Sequence, residues 1–153
     1  MIRVLFVCLG NICRSPMAEG VFQHLVREAG LQDKIETDSA GTGHWHLGEA
    51  PHSGTRQTLK SKGIQYDHRA RLLLREDLDN FDYILTMDEA NWRDVQELGA
   101  GGAKVARFMD YAPHTGVTEV PDPYYDGRFG EVYLLVHEAA KGLLDAIRRE
   151  HNL

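Results

Sequence analysis

Two cysteines, an arginine and a serine lie within the ten residues VCLGNICRSP, at positions 7 to 16. Five residues separate the thiol of Cys8 from the guanidinium of Arg14, and Ser15 follows directly. A thiolate is a strong nucleophile, and a guanidinium offers a planar fork of N–H donors that matches two oxygens of a phosphate group. The motif therefore predicts nucleophilic chemistry on a phosphate ester.

The residues around this motif have the pattern of a strand followed by a helix. Residues 2–8 form an apolar run of strand length, and Gly10 and Asn11 are residue types that tolerate unusual backbone dihedral angles. Ser15 and Pro16 are typical of a helix N-cap and a first helical residue. A loop of this kind directs backbone N–H groups and the positive end of a helix toward one point, where an oxyanion binds.

Strands and helices alternate along the rest of the chain. Further strands are predicted over residues 35–41, 81–87 and 103–109. Further helices are predicted over residues 54–63, 89–98 and 129–150. We therefore expect a single doubly wound α/β domain over residues 1–153, in which a four-stranded parallel sheet has helices on both faces and the phosphate-binding loop lies between the first strand and the first helix.

Ligands of such sheets bind at the carboxyl ends of the strands. Cys8 ends the first predicted strand, Ser39 lies near the end of the second, and Asp88 follows the third. Asp122 lies in the loop after the fourth, so these side chains should share one edge of the sheet. The residues alone leave Asp122, Asp110 and Asp88 as equal candidates for a general acid, and Asp88 either orients Arg14 or caps the helix that follows it.

Composition excludes several other classes of protein. The 153 residues suit one domain, and 23 acidic against 17 basic side chains exclude the broad positive field that nucleic acids and anionic membranes require. Both cysteines lie in the motif, which argues against a disulfide framework, and the histidines lack the spacing of a zinc site. No export signal or membrane span is recognisable. We expect a cytoplasmic protein without metal or cofactor, monomeric or weakly self-associating.

Residues 8–19, CLGNICRSPMAE, resemble the signature of the low-molecular-weight protein tyrosine phosphatases. The similarity continues through DSAGT at 38–42, FDYILTMD at 81–88 and DPYY at 122–125, and it covers nearly the whole chain. The resemblance implies hydrolysis of small aryl phosphates and of phosphotyrosine in a protein substrate, through a phosphocysteine intermediate and without a cofactor.

The resemblance also implies roles for individual residues. Cys8 would be the nucleophile and Arg14 the phosphate clamp, Asp122 would be the general acid, and Ser15 would help the thiolate to leave. The predicted substrate and phosphate contacts are Leu9, Gly10, Asn11, Ile12, Cys13, Trp45, Tyr124 and Tyr125. The predicted supporting network is Ser39, His68 and Asp88, in which the role of His68 depends on the resemblance alone.

Several alternatives remain open at this point. Cys13 is either an apolar filler or a redox partner of Cys8, and Trp45 is either a stacking platform or a packed side chain. His44 and His46 are read as solvated loop residues rather than metal ligands. The rival functions are a thioredoxin-coupled arsenate reductase, which would need further cysteines, a protein arginine phosphatase, which has threonine at the position of Ile12, and a non-catalytic phosphate-binding module.

Overall fold

The computed structural model describes all 153 residues, which fold around one parallel sheet. Its strands are β1 (Ile2–Cys8), β2 (Ile35–Gly41), β3 (Tyr83–Thr86) and β4 (Lys104–Arg107). The helices are α1 (Arg14–Glu28), α2 (Ser53–Ser61), α3 (Asp77–Asn80), α4 (Glu89–Leu98) and α5 (Phe129–His151). None of the five helices combines the length and the apolar character that a membrane span requires.

The strand order is β2-β1-β3-β4, and every neighbouring pair is parallel. The chain leaves β1 toward β2 on one side and later returns to place β3 on the other side. The order therefore reverses at β1, and the crevice outside its carboxyl end is where open α/β sheets bind their ligands. Cys8 is the last residue of β1.

Alternate side chains of β1 enter two different cores, as expected for a strand that is buried on both faces. Val4 and Phe6 belong to the larger core, which α1 and α5 cover, whereas Leu5 and Val7 belong to the smaller core, to which α3 and α4 contribute. This arrangement confirms the predicted doubly wound fold with helices on both faces of a four-stranded parallel sheet.

The predicted start of the first helix is wrong by two residues. The helix begins at Arg14, Cys13 occupies the N-cap position without a side-chain cap, and the Ser15 hydroxyl contacts the Cys8 sulfur instead of a backbone N–H. Helix α2 also begins earlier, because His52 Nδ1 accepts a hydrogen bond from Gly54 N at 3.0 Å. The last two strands are shorter than predicted: β3 covers only Tyr83–Thr86, and β4 ends at Arg107 because a 3-10 turn over Phe108–Tyr111 follows it directly.

Candidate active site

The loop between β1 and α1 wraps around the sulfur of Cys8. The backbone N–H of Asn11 donates to Cys8 Sγ at 3.3 Å, and the Ser15 hydroxyl lies 3.1 Å from the same sulfur. Asn11 has φ 58°, the left-handed conformation that asparagine tolerates better than most residues. The first turn of α1 contains no acidic residue, so its N–H groups face the loop without a competing carboxylate.

Gly10 and Gly41 are needed near this loop because they have no side chain, and neither has a positive φ. A Cβ added at Gly10 would lie 3.1 Å from His46 Cδ2. A Cβ added at Gly41 would lie 2.8 Å from the carbonyl oxygen of Leu9, closer than a side chain tolerates. The end of β2 and the loop after Trp45 can therefore pack directly against the phosphate-binding loop.

Arg14 is held by hydrogen bonds that all use one of its terminal nitrogens. Nη1 donates to Asp88 Oδ2 at 2.7 Å and to the carbonyl oxygen of Val120 at 3.1 Å, while Nη2 lies 3.7 Å from Asp122 Oδ2. Burial of the guanidinium lowers its pKa, but the charges of Cys8 and Asp88 outweigh burial and raise it. Arg14 is therefore a fixed cation whose other N–H groups can bind an oxyanion.

Asp88 fills both roles that the sequence offered as alternatives. Its Oδ1 accepts a hydrogen bond from Asn91 N at 2.8 Å and thereby caps α4, while its Oδ2 accepts the hydrogen bond from Arg14. A carboxylate has two oxygens, so the helix cap and the arginine do not compete. Asp88 thus ties the orientation of Arg14 to the start of a helix on the neighbouring strand.

The side chain of Asn11 joins the loop to the structure behind it. Its Oδ1 accepts hydrogen bonds from His68 Nε2 at 2.8 Å and from Arg71 N at 3.0 Å. Because a backbone N–H can only donate, the amide orientation is fixed, and Nδ2 donates to Ser15 Oγ at 2.8 Å and to Ser39 Oγ at 3.0 Å. The structure thus brings together the predicted network of Asn11, Ser39 and His68.

A pocket of about 430 Å³ opens above the loop. Its lining includes Cys8, Arg14 and Asp122 and every other predicted contact except Asn11, a buried residue of the loop. The lining residues are Cys8, Leu9, Gly10, Ile12, Cys13, Arg14, Trp45, His46, Asp122, Tyr124 and Tyr125. Asp122 is the one carboxylic acid among them.

The rim of the pocket is aromatic on two sides. Trp45 is 64% exposed and its ring stacks on His44, with centroids 5.2 Å apart. Tyr124 and Tyr125 meet edge to face at 4.9 Å. The exposure of Trp45 favours the stacking platform over the packed side chain, because a tryptophan that served only the core would be buried.

His46 is a pocket residue that the sequence did not predict. Its Nδ1 lies 3.1 Å from Glu49 Oε2, and its ring lies 5.9 Å from Tyr124. The pattern HWH at 44–46 predicts two solvated histidines, but Gly10, which has no side chain, leaves room for the His46 ring beside the loop. A close approach between segments more than thirty residues apart has no signature in local spacing.

Asp122 is the candidate acid that the geometry favours among the three aspartates. It lies in the pocket lining, with a side chain that is 37% exposed, and its Oδ1 accepts a hydrogen bond from Tyr124 N at 3.1 Å. Asp88 is occupied by Arg14 and α4, and Asp110 lies in the 3-10 turn after β4, outside the pocket lining.

The second thiol of the motif is buried beside the first. Cys13 belongs to a small apolar cluster with Ile12 and Ala70, and no disulfide joins it to Cys8. Burial, followed by the nearby charge of Cys8, raises the pKa of Cys13 to about 12, so Cys13 is a protonated thiol at neutral pH. These observations favour the interpretation of Cys13 as an apolar packing residue. The alternative, a disulfide with Cys8 under oxidation, stays a prediction.

One group of three potential metal ligands lies behind the loop rather than in the pocket. It consists of Glu19, Asp38 and His68. Glu19 and His68 are already engaged by Tyr66 and Asn11, respectively. The group is therefore explained by hydrogen bonding, and it contributes no ligand to the pocket.

His68 should make the stability of the fold sensitive to mild acid. Burial lowers the pKa of His68 and the charge of Asp38 opposes this only in part, so the ring is preferentially neutral in the fold. The unfolded chain, in which histidine titrates near about 6.5, then binds more protons, and the free energy of unfolding should fall as the pH drops from there through the folded-state value. Above about pH 7 this contribution is constant.

Urea unfolding of the wild type and of His68→Gln at about pH 7.5 and about pH 5.5 measures this effect. The wild type should lose more stability between the two pH values than the variant. Glutamine keeps a donor near Asn11 but cannot be protonated. An equal loss in the two proteins would contradict the assignment to His68.

The fold and the site together define a cysteine-dependent phosphatase of the doubly wound α/β class. A family profile described as "Low molecular weight phosphotyrosine protein phosphatase" matches residues 3–153. The chain belongs to this family.

Relatives and solved structures agree with this assignment along the whole chain. The low molecular weight protein-tyrosine-phosphatase YfkJ of Bacillus subtilis is 46% identical over 100% of both chains, and a low molecular weight phosphotyrosine protein phosphatase of Schizosaccharomyces pombe is 47% identical over 95% of this chain and 97% of its own. The crystal structure of YfkJ superposes with a TM-score of 0.95, covering 98% of this chain and 96% of YfkJ.

A solved structure of a Drosophila arginine phosphatase is also similar. It is 32% identical, covers 96% of this chain and 98% of its own, and has a TM-score of 0.91. The fold therefore accommodates two kinds of phosphorylated side chain, and the substrate must be argued from the pocket.

Proposed function

We propose that the protein is a protein-tyrosine phosphatase that hydrolyses phosphotyrosine and small aryl phosphates through a phosphocysteine intermediate. The observation that carries the proposal is one pocket in which a buried thiol, a fixed guanidinium and a single carboxylic acid meet beneath an aromatic rim. The proposal covers a phosphotyrosine-containing protein as substrate, a cytoplasmic location, and a single domain over residues 1–153 that is monomeric or weakly self-associating.

In the first step the Cys8 thiolate attacks the phosphorus of the bound ester. A sulfur–phosphorus bond forms as the bond from phosphorus to the phenol oxygen breaks. The protonated carboxyl of Asp122 gives its proton to the departing phenolate, which leaves as a neutral phenol. Arg14 and the backbone N–H groups of the loop stabilise the charge on the three phosphoryl oxygens through the transition state.

In the second step water displaces the sulfur. The Asp122 carboxylate, now deprotonated, takes a proton from a water molecule whose oxygen attacks the phosphorus. The sulfur–phosphorus bond breaks, and inorganic phosphate and the Cys8 thiolate result. Ser15, whose hydroxyl lies 3.1 Å from Cys8 Sγ, donates to the departing thiolate and makes it a better leaving group.

The rim supports an aryl substrate. Trp45, Tyr124 and Tyr125 present apolar rings at the mouth of the pocket, where a phenyl ring loses contact with water and gains stacking contacts. A guanidinium at the same place would be desolvated, and Asp122 is the one acidic side chain of the lining that could partner it. Phosphotyrosine therefore fits this rim better than phosphoarginine.

Protein arginine phosphatase is the second candidate, because an arginine phosphatase shares the fold at a TM-score of 0.91. The residue that should discriminate is Ile12, which lines the pocket floor and packs against Cys13 and Ala70. An isoleucine offers no hydrogen bond to a phosphoguanidinium. An arsenate reductase coupled to thioredoxin has less support, because the chain has no cysteine beyond Cys13.

Replacing Ile12 by threonine should move the preference toward phosphoarginine. We expect the ratio of kcat/KM for phosphoarginine over phosphotyrosine peptides to rise about fivefold to tenfold, the worth of one added hydrogen bond. Ile12→Val is the matched control, since it has the same branching as threonine and no hydroxyl. Wild-type protein that hydrolyses phosphoarginine peptides more efficiently than phosphotyrosine peptides would reverse the order of the two candidates.

A further inference from the structure

Tyr66 lies behind the phosphate-binding loop and takes no part in lining the pocket. Its hydroxyl lies between two polar groups, 2.5 Å from Glu19 Oε1 and 3.3 Å from Ser39 Oγ. Its ring stacks on His68 at 6.2 Å. The Glu19 side chain is almost fully buried, and its other oxygen accepts a hydrogen bond from Thr37 Oγ1 at 2.9 Å.

The hydrogen bonds from Tyr66 to the nucleophile form a single continuous chain. The Tyr66 hydroxyl contacts Ser39, Asn11 donates to both Ser39 and Ser15, and Ser15 contacts the Cys8 sulfur. Every member except Tyr66 has a place in the network already described. Tyr66 is thus the link between that network and the buried carboxyl of Glu19.

The donor and acceptor roles along this chain follow from the fixed amide of Asn11. Both hydrogens of Nδ2 are used, one on Ser15 and one on Ser39, so each serine oxygen acts as an acceptor there. The one hydrogen of Ser39 is then directed to Tyr66, and the one hydrogen of Ser15 is directed to Cys8.

The same reasoning extends from Ser39 to the carboxyl. Because the Tyr66 oxygen accepts from Ser39, its own hydrogen is directed to Glu19 Oε1. Burial, followed by the charge of Glu19, raises the pKa of Tyr66, so the phenol keeps this hydrogen. Burial raises the pKa of Glu19, and the hydrogen bonds from Tyr66 and Thr37 oppose this shift. An ionised Glu19 that accepts from both is the form that satisfies every donor in the chain.

We propose that Tyr66 is a positioning residue for the chemistry at Cys8, and that it acts through Ser39 and Asn11 with Glu19 fixing the direction of its hydroxyl. The inference rests on the proposed function, in which Cys8 forms the phosphocysteine. Its content is that the Tyr66 hydroxyl accepts the hydrogen of Ser39 and so leaves the Ser39 oxygen free to accept from the fixed amide of Asn11, an arrangement that keeps the hydrogen of Ser15 directed at the sulfur.

Removal of the hydroxyl should act on one half of the reaction more than on the other. Without the Tyr66 oxygen as an acceptor, the hydroxyl hydrogen of Ser39 has no buried hydrogen-bond partner. It can then rotate toward Asn11 Nδ2, which is itself a donor, and weaken the hydrogen bond between the two residues. The hydrogen bond from Ser15 then becomes less well directed. The Ser15 hydrogen bond stabilises the thiolate that leaves in the second step, and it makes the attacking thiolate less nucleophilic in the first step. Weakening this hydrogen bond should therefore slow the second step more than the first.

The test compares Tyr66→Phe with Thr37→Val by rapid-mixing kinetics on p-nitrophenyl phosphate. Each variant removes one hydrogen bond to Glu19, but only Tyr66 is linked to the sulfur. In Tyr66→Phe we expect the steady-state rate to fall about tenfold while the initial burst of nitrophenol persists or grows. In Thr37→Val both quantities should stay within about twofold of the wild type.

A double-mutant cycle with Ser39→Ala tests whether Tyr66 acts through Ser39. Tyr66→Phe should cause less than about a twofold further loss in the Ser39→Ala background, because the link to Asn11 is already absent there. The inference is overturned if the two losses multiply, if Thr37→Val slows turnover as much as Tyr66→Phe, or if Tyr66→Phe has wild-type kinetics. A wild-type protein without burst or turnover would instead refute the phosphocysteine mechanism itself.

Discussion

Cys8→Ser should abolish the hydrolysis of aryl phosphates, with a loss on the order of 10⁵-fold or more in kcat, while the binding of inorganic phosphate changes little. The substitution removes the nucleophile, because a serine hydroxyl in this loop does not ionise near neutral pH and has no adjacent base to activate it. The oxyanion donors remain, since the N–H of Asn11 and the hydroxyl of Ser15 still face the substituted side chain. Turnover of p-nitrophenyl phosphate and calorimetric titration with phosphate measure the two properties separately.

Two further variants serve as controls for this result. Arg14→Lys keeps the charge but loses the fork, so it should weaken phosphate binding and turnover together. Cys13→Ser changes the other thiol of the motif, which is buried and protonated, and it should retain most of the activity. If Cys13→Ser were inactive and Cys8→Ser active, the nucleophile would have been assigned to the wrong cysteine.

The fold could be predicted in large part because its signals are local. β1 and β3 are short apolar runs, and α5 shows its amphipathic spacing over several turns, so the type and order of these elements follow from neighbouring residues. The boundaries were less predictable. Ser15 followed by Pro16 is a normal signal for a helix start, yet in the fold the serine hydroxyl faces the sulfur and the helix begins at Arg14.

Pocket residues could be predicted when they belong to the cysteine–arginine motif or follow the carboxyl end of a strand. Asp88 and Asp122 follow strands that end at the same edge of the sheet as Cys8, and both approach Arg14. Their separate tasks could not be predicted from their types, because an aspartate that caps a helix and an aspartate exposed to a pocket look alike in sequence.

The residues behind the loop could not be predicted from spacing. Glu19 lies on a helix where a surface position is the normal expectation for a glutamate, and Tyr66 lies 47 positions further along the chain. Their contact depends on how α1 packs beside the segment after α2. A buried polar pair of this kind becomes visible only when the tertiary structure shows where each donor and acceptor is satisfied.

Asp122→Asn should slow the hydrolysis of phosphotyrosine by about 10²- to 10⁴-fold, the usual worth of a general acid. Asparagine keeps the size of the side chain and an oxygen that can accept the hydrogen bond from Tyr124 N, so the loop should keep its shape. It cannot give a proton to the leaving phenolate. The phenol of tyrosine has a pKa of about 10 and needs that proton, whereas a nitrophenol leaves readily as an anion.

The deficit of Asp122→Asn should therefore shrink as the leaving group becomes more acidic. A series of aryl phosphates, assayed for burst rate and kcat/KM, measures this dependence, and Asp110→Asn is the matched control because it changes an aspartate that does not line the pocket. Water activation in the second step also requires the carboxylate, so kcat should stay low even where phosphorylation recovers. A loss that is the same for every leaving group would show that Asp122 aids binding or loop structure and does not transfer the proton.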